Sequence, residues 1–177
     1  IKKWQIIDGN FTYDDLLSGI HTSLLGINHT GSGDFSQDIF DLMIKTTIVS
    51  VDLNYEGTNY FKGKTFNGDL NMKMDFTASK YTFSENSLTL GALSFGLNGD
   101  VTLPADADMV LDIEFQSLDM SIKSILSLLP GDYSSYLENV SADGEVGIEG
   151  KVSGVYNESR LPDININAMI SNGYLAY

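Results

Sequence analysis

Strict alternation of apolar and polar residues constrains this chain more than any other feature. A period of two suits a strand with one dry face and one wet face, and it does not suit a helix. Three runs carry it. Leu70, Met72, Met74 and Phe76 alternate with Asn71, Lys73, Asp75 and Thr77. Met109, Leu111, Ile113 and Phe115 alternate with Asp112, Glu114 and Gln116, with one break at Val110. Ile164, Ile166, Ala168 and Ile170 lie opposite Asp163, Asn165 and Asn167. Continuous apolar runs of the buried parallel-sheet kind are missing, so an antiparallel arrangement is expected. The expected fold is mainly β: a curled antiparallel meander sheet, either an open groove or sandwich-like, with one or two short helices near 119–139.

Weaker strand signals fill the gaps at 2–8, 19–28, 39–55 and 60–66. Residues 81–83, 87–92 and 93–103 read as a ladder broken at Glu85-Asn86, Gly91 and Asn98-Gly99. Asn67-Gly68 reads as a hairpin turn. Residues 144–156 alternate Val146, Ile148, Val152 and Val155 among glycines, which predicts a bulged strand with a turn near Gly150. Residues 26–38 read as a loop. No linker divides the chain, so residues 1–177 are expected to form one β-rich domain.

The period changes once. Ile122, Ile125, Leu126 and Leu129 fall at helical spacing, with Asp119 or Ser121 placed to cap the start and Pro130-Gly131 to stop it. Tyr133, Tyr136, Leu137 and Val140 repeat the spacing and predict a second short helix. The pair is expected to act as a lid or end plug against the sheet.

Charge and composition exclude some functions. Ten Lys+Arg stand against twenty-four Asp+Glu, a formal charge of -14. Such a chain repels phosphate backbones and lacks the basic patch that nucleic-acid binding needs. Cysteine is absent, which removes disulfides, thiolate-zinc sites and cysteine nucleophiles. At 177 residues a sizeable core is expected. No apolar run is long enough to span a bilayer as a helix. The opening Ile1-Lys2-Lys3-Trp4 has neither an initiator Met nor an apolar signal region, so an excised segment of a larger exported protein is expected.

Catalysis finds no motif. His21 and His29 lie eight apart and read as hydrogen-bonded or solvated side chains. Neither a nucleophile elbow, a phosphate-binding glycine loop nor a zinc-protease motif is present. Asp112 and Glu114 share a strand face, but alternating acids on a wet face are expected of so acidic a chain. The pairs Asp106 with Asp108, and Asp143 with Glu145, do not follow a calcium-binding loop. The Asn-x-Ser/Thr matches at Asn10, Asn28, Asn139 and Asn157 matter only in a glycosylating pathway. No cofactor or metal is expected, and the chain is expected not to be an enzyme.

A block in the C-terminal half carries a resemblance. Phe115-Gln116-Ser117-Leu118-Asp119-Met120-Ser121-Ile122-Lys123-Ser124-Ile125-Leu126-Ser127-Leu128-Leu129-Pro130 is followed by Tyr133, Ala142-Asp143-Gly144-Glu145-Val146, Gly150-Lys151-Val152-Ser153-Gly154-Val155-Tyr156, Leu161-Pro162 and Asn172-Gly173-Tyr174-Leu175-Ala176-Tyr177. Upstream stand Tyr81-Thr82-Phe83, Asn86, Leu88-Thr89-Leu90 and Phe95-Gly96-Leu97-Asn98-Gly99. Over roughly residues 38–177 this order resembles the bacterial AsmA-like family, especially its Bacteroides-type members. That family is related to the repeating β-groove lipid transfer proteins. The resemblance implies a periplasmic β region, an inner-membrane anchor outside this chain, and a part in outer-membrane biogenesis and phospholipid movement. The implied partners are phospholipid acyl chains and envelope proteins. The matching motif is structural, so no catalytic residue or cofactor carries over.

Two arrangements fit the alternation. In a groove, Leu70, Met72, Met74, Phe76, Met109, Leu111, Ile113 and Phe115 would face acyl chains, and the methionines would suit an adaptable lining. In a closed β-sandwich the same residues would face one another. The chain would then be a cell-surface or secreted module that binds protein or glycan.

Overall fold

The computed structural model describes residues 2–177 apart from 106, 119, 128, 131–132 and 134–139. Its strands are β1 (Lys3–Asp15), β2 (Ile20–Ser32), β3 (Ile39–Tyr55), β4 (Thr58–Asp75), β5 (Lys80–Leu90), β6 (Leu93–Thr102), β7 (Met109–Ser117), β8 (Met120–Ser121), β9 (Ser141–Tyr156) and β10 (Asp163–Ala176). The helix α1 (Ile122–Leu126) follows β8. All strands join one antiparallel sheet in the order β1-β2-β3-β4-β5-β6-β7-β9-β10, and β8 pairs with β9. The sheet does not close into a barrel. Its edges are β1 and β10.

Tight turns make the meander. Asp15 Oδ1 accepts the backbone N–H groups of Leu17 and Ser18 at 2.9 and 3.2 Å, closing β1 onto β2. Asp75 Oδ1 accepts that of Ala78 at 2.8 Å before β5. An aspartate that bonds the backbone two or three residues on is a common turn former.

Several turn signals in the sequence prove to be strand interior. Asn67-Gly68 lies within β4, with Asn67 paired to Thr47 on one side and Thr89 on the other. The turn before β4 is made by Glu56 and Gly57 instead, both at positive φ. Gly150 lies mid-strand between Phe115 and Ile166, so β9 runs without a turn. Residues 81–90 form one strand with a bulge at Glu85-Asn86, and Asn98-Gly99 sits inside β6. The expected loop at 26–38 shrinks to 33–38, because β2 continues to Ser32.

The expected sizeable core is also corrected. Among the described residues only Phe40, Leu42, Met120, Ala142 and Val146 are buried apolar side chains, and none is fully enclosed. Among the described residues no second layer covers a whole face of the sheet, so most apolar residues stay half-exposed. Helix α1 spans five residues and holds no buried residue. Ser121 caps it, its Oγ accepting the Ser124 N–H at 3.1 Å. Asp119, the other cap candidate, and most of the second expected helix lie outside the described residues.

Candidate functional site

Paired residues of neighbouring antiparallel strands share a face, so the register defines the apolar surface. Leu42 pairs with Met72, Met72 with Phe83, Phe83 with Gly99 and Gly99 with Ile113. The row continues through Val152 to Ile164. One step along, Phe40, Met74, Tyr81, Val101 and Leu111 form a second row. Trp4, Gly31, Ile44 and Leu70 form a third towards β1. Leu97, Phe115, Gly150 and Ile166 form a fourth towards β10.

The two alternating runs singled out in the sequence therefore lie on one continuous face. Leu70, Met72, Met74, Met109, Leu111, Ile113 and Phe115 are half-buried on it. Phe76 lies just past the end of β4, its ring packed edge-on to Phe40 at 5.5 Å. Alternation alone does not pick out Phe40, Leu42 and Ile44, because Met43 spoils their pattern. It also misses Phe83 and Val101, each in a run too short to stand out.

Aromatic rings smooth this face. The Trp4 ring lies over Gly31, and the Phe115 ring over Gly150; a Cβ at either glycine would overlap the ring. Lacking side chains, the two glycines let the rings lie flat on the neighbouring strand. At one end Trp4, Phe35, Phe40 and Phe76 form a chain of contacts with centroids 5.6, 4.8 and 5.5 Å apart. Trp4 Nε1 donates to His29 Nε2 at 3.0 Å, and the other His29 nitrogen bonds Thr46 Oγ1 at 2.9 Å. His29 is thus a hydrogen-bonded side chain of the apolar face. His21 pairs with Asp14 at the far end of β1 and β2.

At the opposite end α1 lies beside β9, and the Ile122 methyl is close to where a Gly173 side chain would start. Lys64 of β4 donates to the Ser127 carbonyl at 2.7 Å. Because β5, β6 and β7 separate β4 from β9, this bond ties the helix across the apolar face. Ile122, Ile125 and Leu126 are half-buried there, whereas Leu129 is 45% exposed.

The other face is wet and charged. Lys45 pairs with Asp69 at 3.3 Å and Lys80 with Asp100 at 3.0 Å. Lys151 reaches both Asp112 at 2.7 Å and Glu114 at 3.0 Å, so these two acids form an ion-paired cluster around one lysine. Hydrogen bonds to Asp112 and then Glu114 hold the Lys151 ammonium above its ordinary value. The Asp100 carboxyl is held below its ordinary value, chiefly by the Thr82 hydroxyl at 2.5 Å and also by Lys80. Among the described residues no group of three or more His, Asp or Glu is placed to hold a metal ion.

Asparagine and aspartate side chains of this wet face cap the bulges. The N–H of Asp8 bonds Asn28, that of Gly26 bonds Asn10, that of Gly63 bonds Asp52 and that of Glu85 bonds Asn98, at 2.9–3.2 Å. All four bulged residues have positive φ. Each would otherwise leave an unpaired donor, because a bulge breaks the ladder. The amides of the Asn10 and Asn28 sequence matches are accounted for in this way.

No family model, curated protein or solved structure matches the chain. No helix among the described residues is long and apolar enough to cross a membrane, which says nothing of strands.

Proposed function

We propose that this chain is a non-catalytic periplasmic segment of an AsmA-like protein that takes part in outer-membrane biogenesis and phospholipid handling, with its apolar sheet face receiving acyl chains. One observation carries the reading: among the described residues one sheet presents an apolar face across nine strands, with only the short helix α1 lying over part of it. Soluble proteins rarely leave so large an apolar patch without an occupant.

The chemistry of the face favours hydrocarbon. Its strands bond to one another, so the backbone polar groups between them are already paired. An acyl chain needs no polar partner, and each buried methylene contributes about 0.8 kcal/mol. Eight strand spacings of about 4.8 Å span roughly 40 Å of sheet, ample for a lipid tail. The closed-sandwich module binding protein or glycan would need a second sheet facing this one, and the described strands form one. The resemblance of its motif order to AsmA-like proteins supports the cellular setting, with any inner-membrane anchor outside this chain and envelope proteins as further partners.

Native mass spectrometry of the purified chain, paired with organic extraction and lipid analysis, tests this. Phospholipid should co-purify at near-stoichiometric levels. It should be lost from a Met74→Asp, Leu111→Asp variant whose circular dichroism matches the parent. A chain that stays lipid-free after incubation with phospholipid vesicles overturns the proposal.

A further inference from the structure

His29 is a titratable side chain set within the apolar face, between Ile6 of β1 and Thr46 of β3. Both of its ring nitrogens are in use, and their partners fix which one carries the proton. An indole N–H can only donate. The Nε2 atom that receives it from Trp4 at 3.0 Å therefore holds the lone pair. The single proton of the neutral ring is on Nδ1, which donates it to Thr46 Oγ1 at 2.9 Å.

A second proton can go only to Nε2. It sets N–H against N–H with no acceptor between them, and the bond to Trp4 is lost. The bond to Thr46 survives, because Nδ1 donates in both states. The imidazole accordingly keeps its place and the indole gives way. What the indole leaves is specific. Its ring covers Gly31, which has no side chain to fill the space, and it is the first link in the chain of rings to Phe35, Phe40 and Phe76.

The surroundings offer the new charge no partner on this face. Beside His29 the apolar side carries Ile6 of β1, Ile27 of β2, and Ile44 and Ile48 of β3. Lys3 and Asp8 of β1, and Lys45 of β3 with its partner Asp69, belong to the wet face. Beyond Trp4, Lys2 is paired with Asp34 at 3.4 Å, and Asp38 follows in the same loop. On β4, Gly68 lies level with Thr46, and the cation Lys64 is four residues further along.

We propose that His29 is a pH-operated latch on the apolar face. The neutral imidazole holds Trp4 over Gly31, and its protonation in mildly acid solution, where imidazoles titrate, releases the indole and uncovers that part of the face. The latch stands whether or not acyl chains occupy the face.

Trp4 is the sole tryptophan of the chain, so one indole N–H resonance reports the bond. In proton–nitrogen NMR of the whole chain at about pH 8, that resonance should lie downfield, as a hydrogen-bonded donor does, and long-range spectra should place the His29 proton on Nδ1. As pH falls from about 8 to about 5.5, the indole resonance should move upfield and acrylamide should quench Trp4 more strongly, while the backbone amides keep their dispersion. His21→Gln should titrate like the parent. In His29→Gln the side-chain carbonyl can accept the same N–H but takes up no proton, so the resonance should stay fixed. A His29 ring protonated on Nε2 at the higher pH, a parent resonance that does not move, or one that moves equally in His29→Gln overturns the proposal.

Discussion

At the scale of single residues, the four bulged donors at positive φ are satisfied by short amides and carboxylates from the wet face. That explains why Asn and Gly are misleading in the sequence. A turn and a bulge ask for the same chemistry: a residue that tolerates positive φ and a short polar side chain to cap a freed N–H. Glu85-Asn86 and Asn98-Gly99 supply it in mid-sheet, and only pairing with distant strands decides which use prevails. Gly150 is legible as a special position but not as the seat of the Phe115 ring. Gly150→Ala should displace that ring and lower stability by about 1–3 kcal/mol, read as a reduced urea midpoint. Thr82→Val tests the wet face. The Thr82 hydrogen bond holds the folded Asp100 carboxyl below its unfolded value, so this stabilisation is present at neutral pH and is lost as pH falls through the folded value. The variant should be about 1 kcal/mol less stable than the parent at pH 7, with the two converging in strong acid, by urea melts across pH.

Among the elements, the strands are the most legible and the helix the least. Alternation in 70–76, 109–115 and 163–170 marks β4, β7 and β10, since period two survives wherever one face stays wet. The change of period correctly marks a helix with Ser121 as its cap. The sequence does not show how little that helix buries. Helical spacing in Ile122, Ile125 and Leu126 suggests a packed stripe, yet the sheet beneath is one layer and the stripe stays half-exposed. A charge at Ile125 should therefore cost only about 1 kcal/mol. The stronger anchor is Met120, just before the helix, paired with Val146 and only 3% exposed. Met120→Ala should cost about 2–3 kcal/mol, and chemical denaturation of both variants should rank it above Ile125→Asp.

For the molecule as a whole, openness is the property that the sequence leaves undecided. A sandwich and an open sheet need the same alternation, because each has one dry face; they differ in what covers it. That difference lies in whether a second sheet faces this one, which no single strand records; among the described residues none does. An uncovered face also makes stability depend on its occupant. A ligand that binds only the folded chain adds about 2.7 kcal/mol at a hundred times its Kd. Phospholipid should accordingly raise the melting temperature of the delipidated chain in calorimetry, in a concentration-dependent way. The central claim, that acyl chains lie on the apolar face, is tested most directly at two adjacent positions of β7 that point to opposite sides. A photoreactive benzoylphenylalanine would replace either Ile113, half-buried on the apolar face, or Asp112, exposed on the wet face. Irradiation with phosphatidylethanolamine vesicles, followed by mass spectrometry, should give a lipid adduct at 113 and little at 112. Equal labelling at the two positions, or labelling confined to 112, would contradict it.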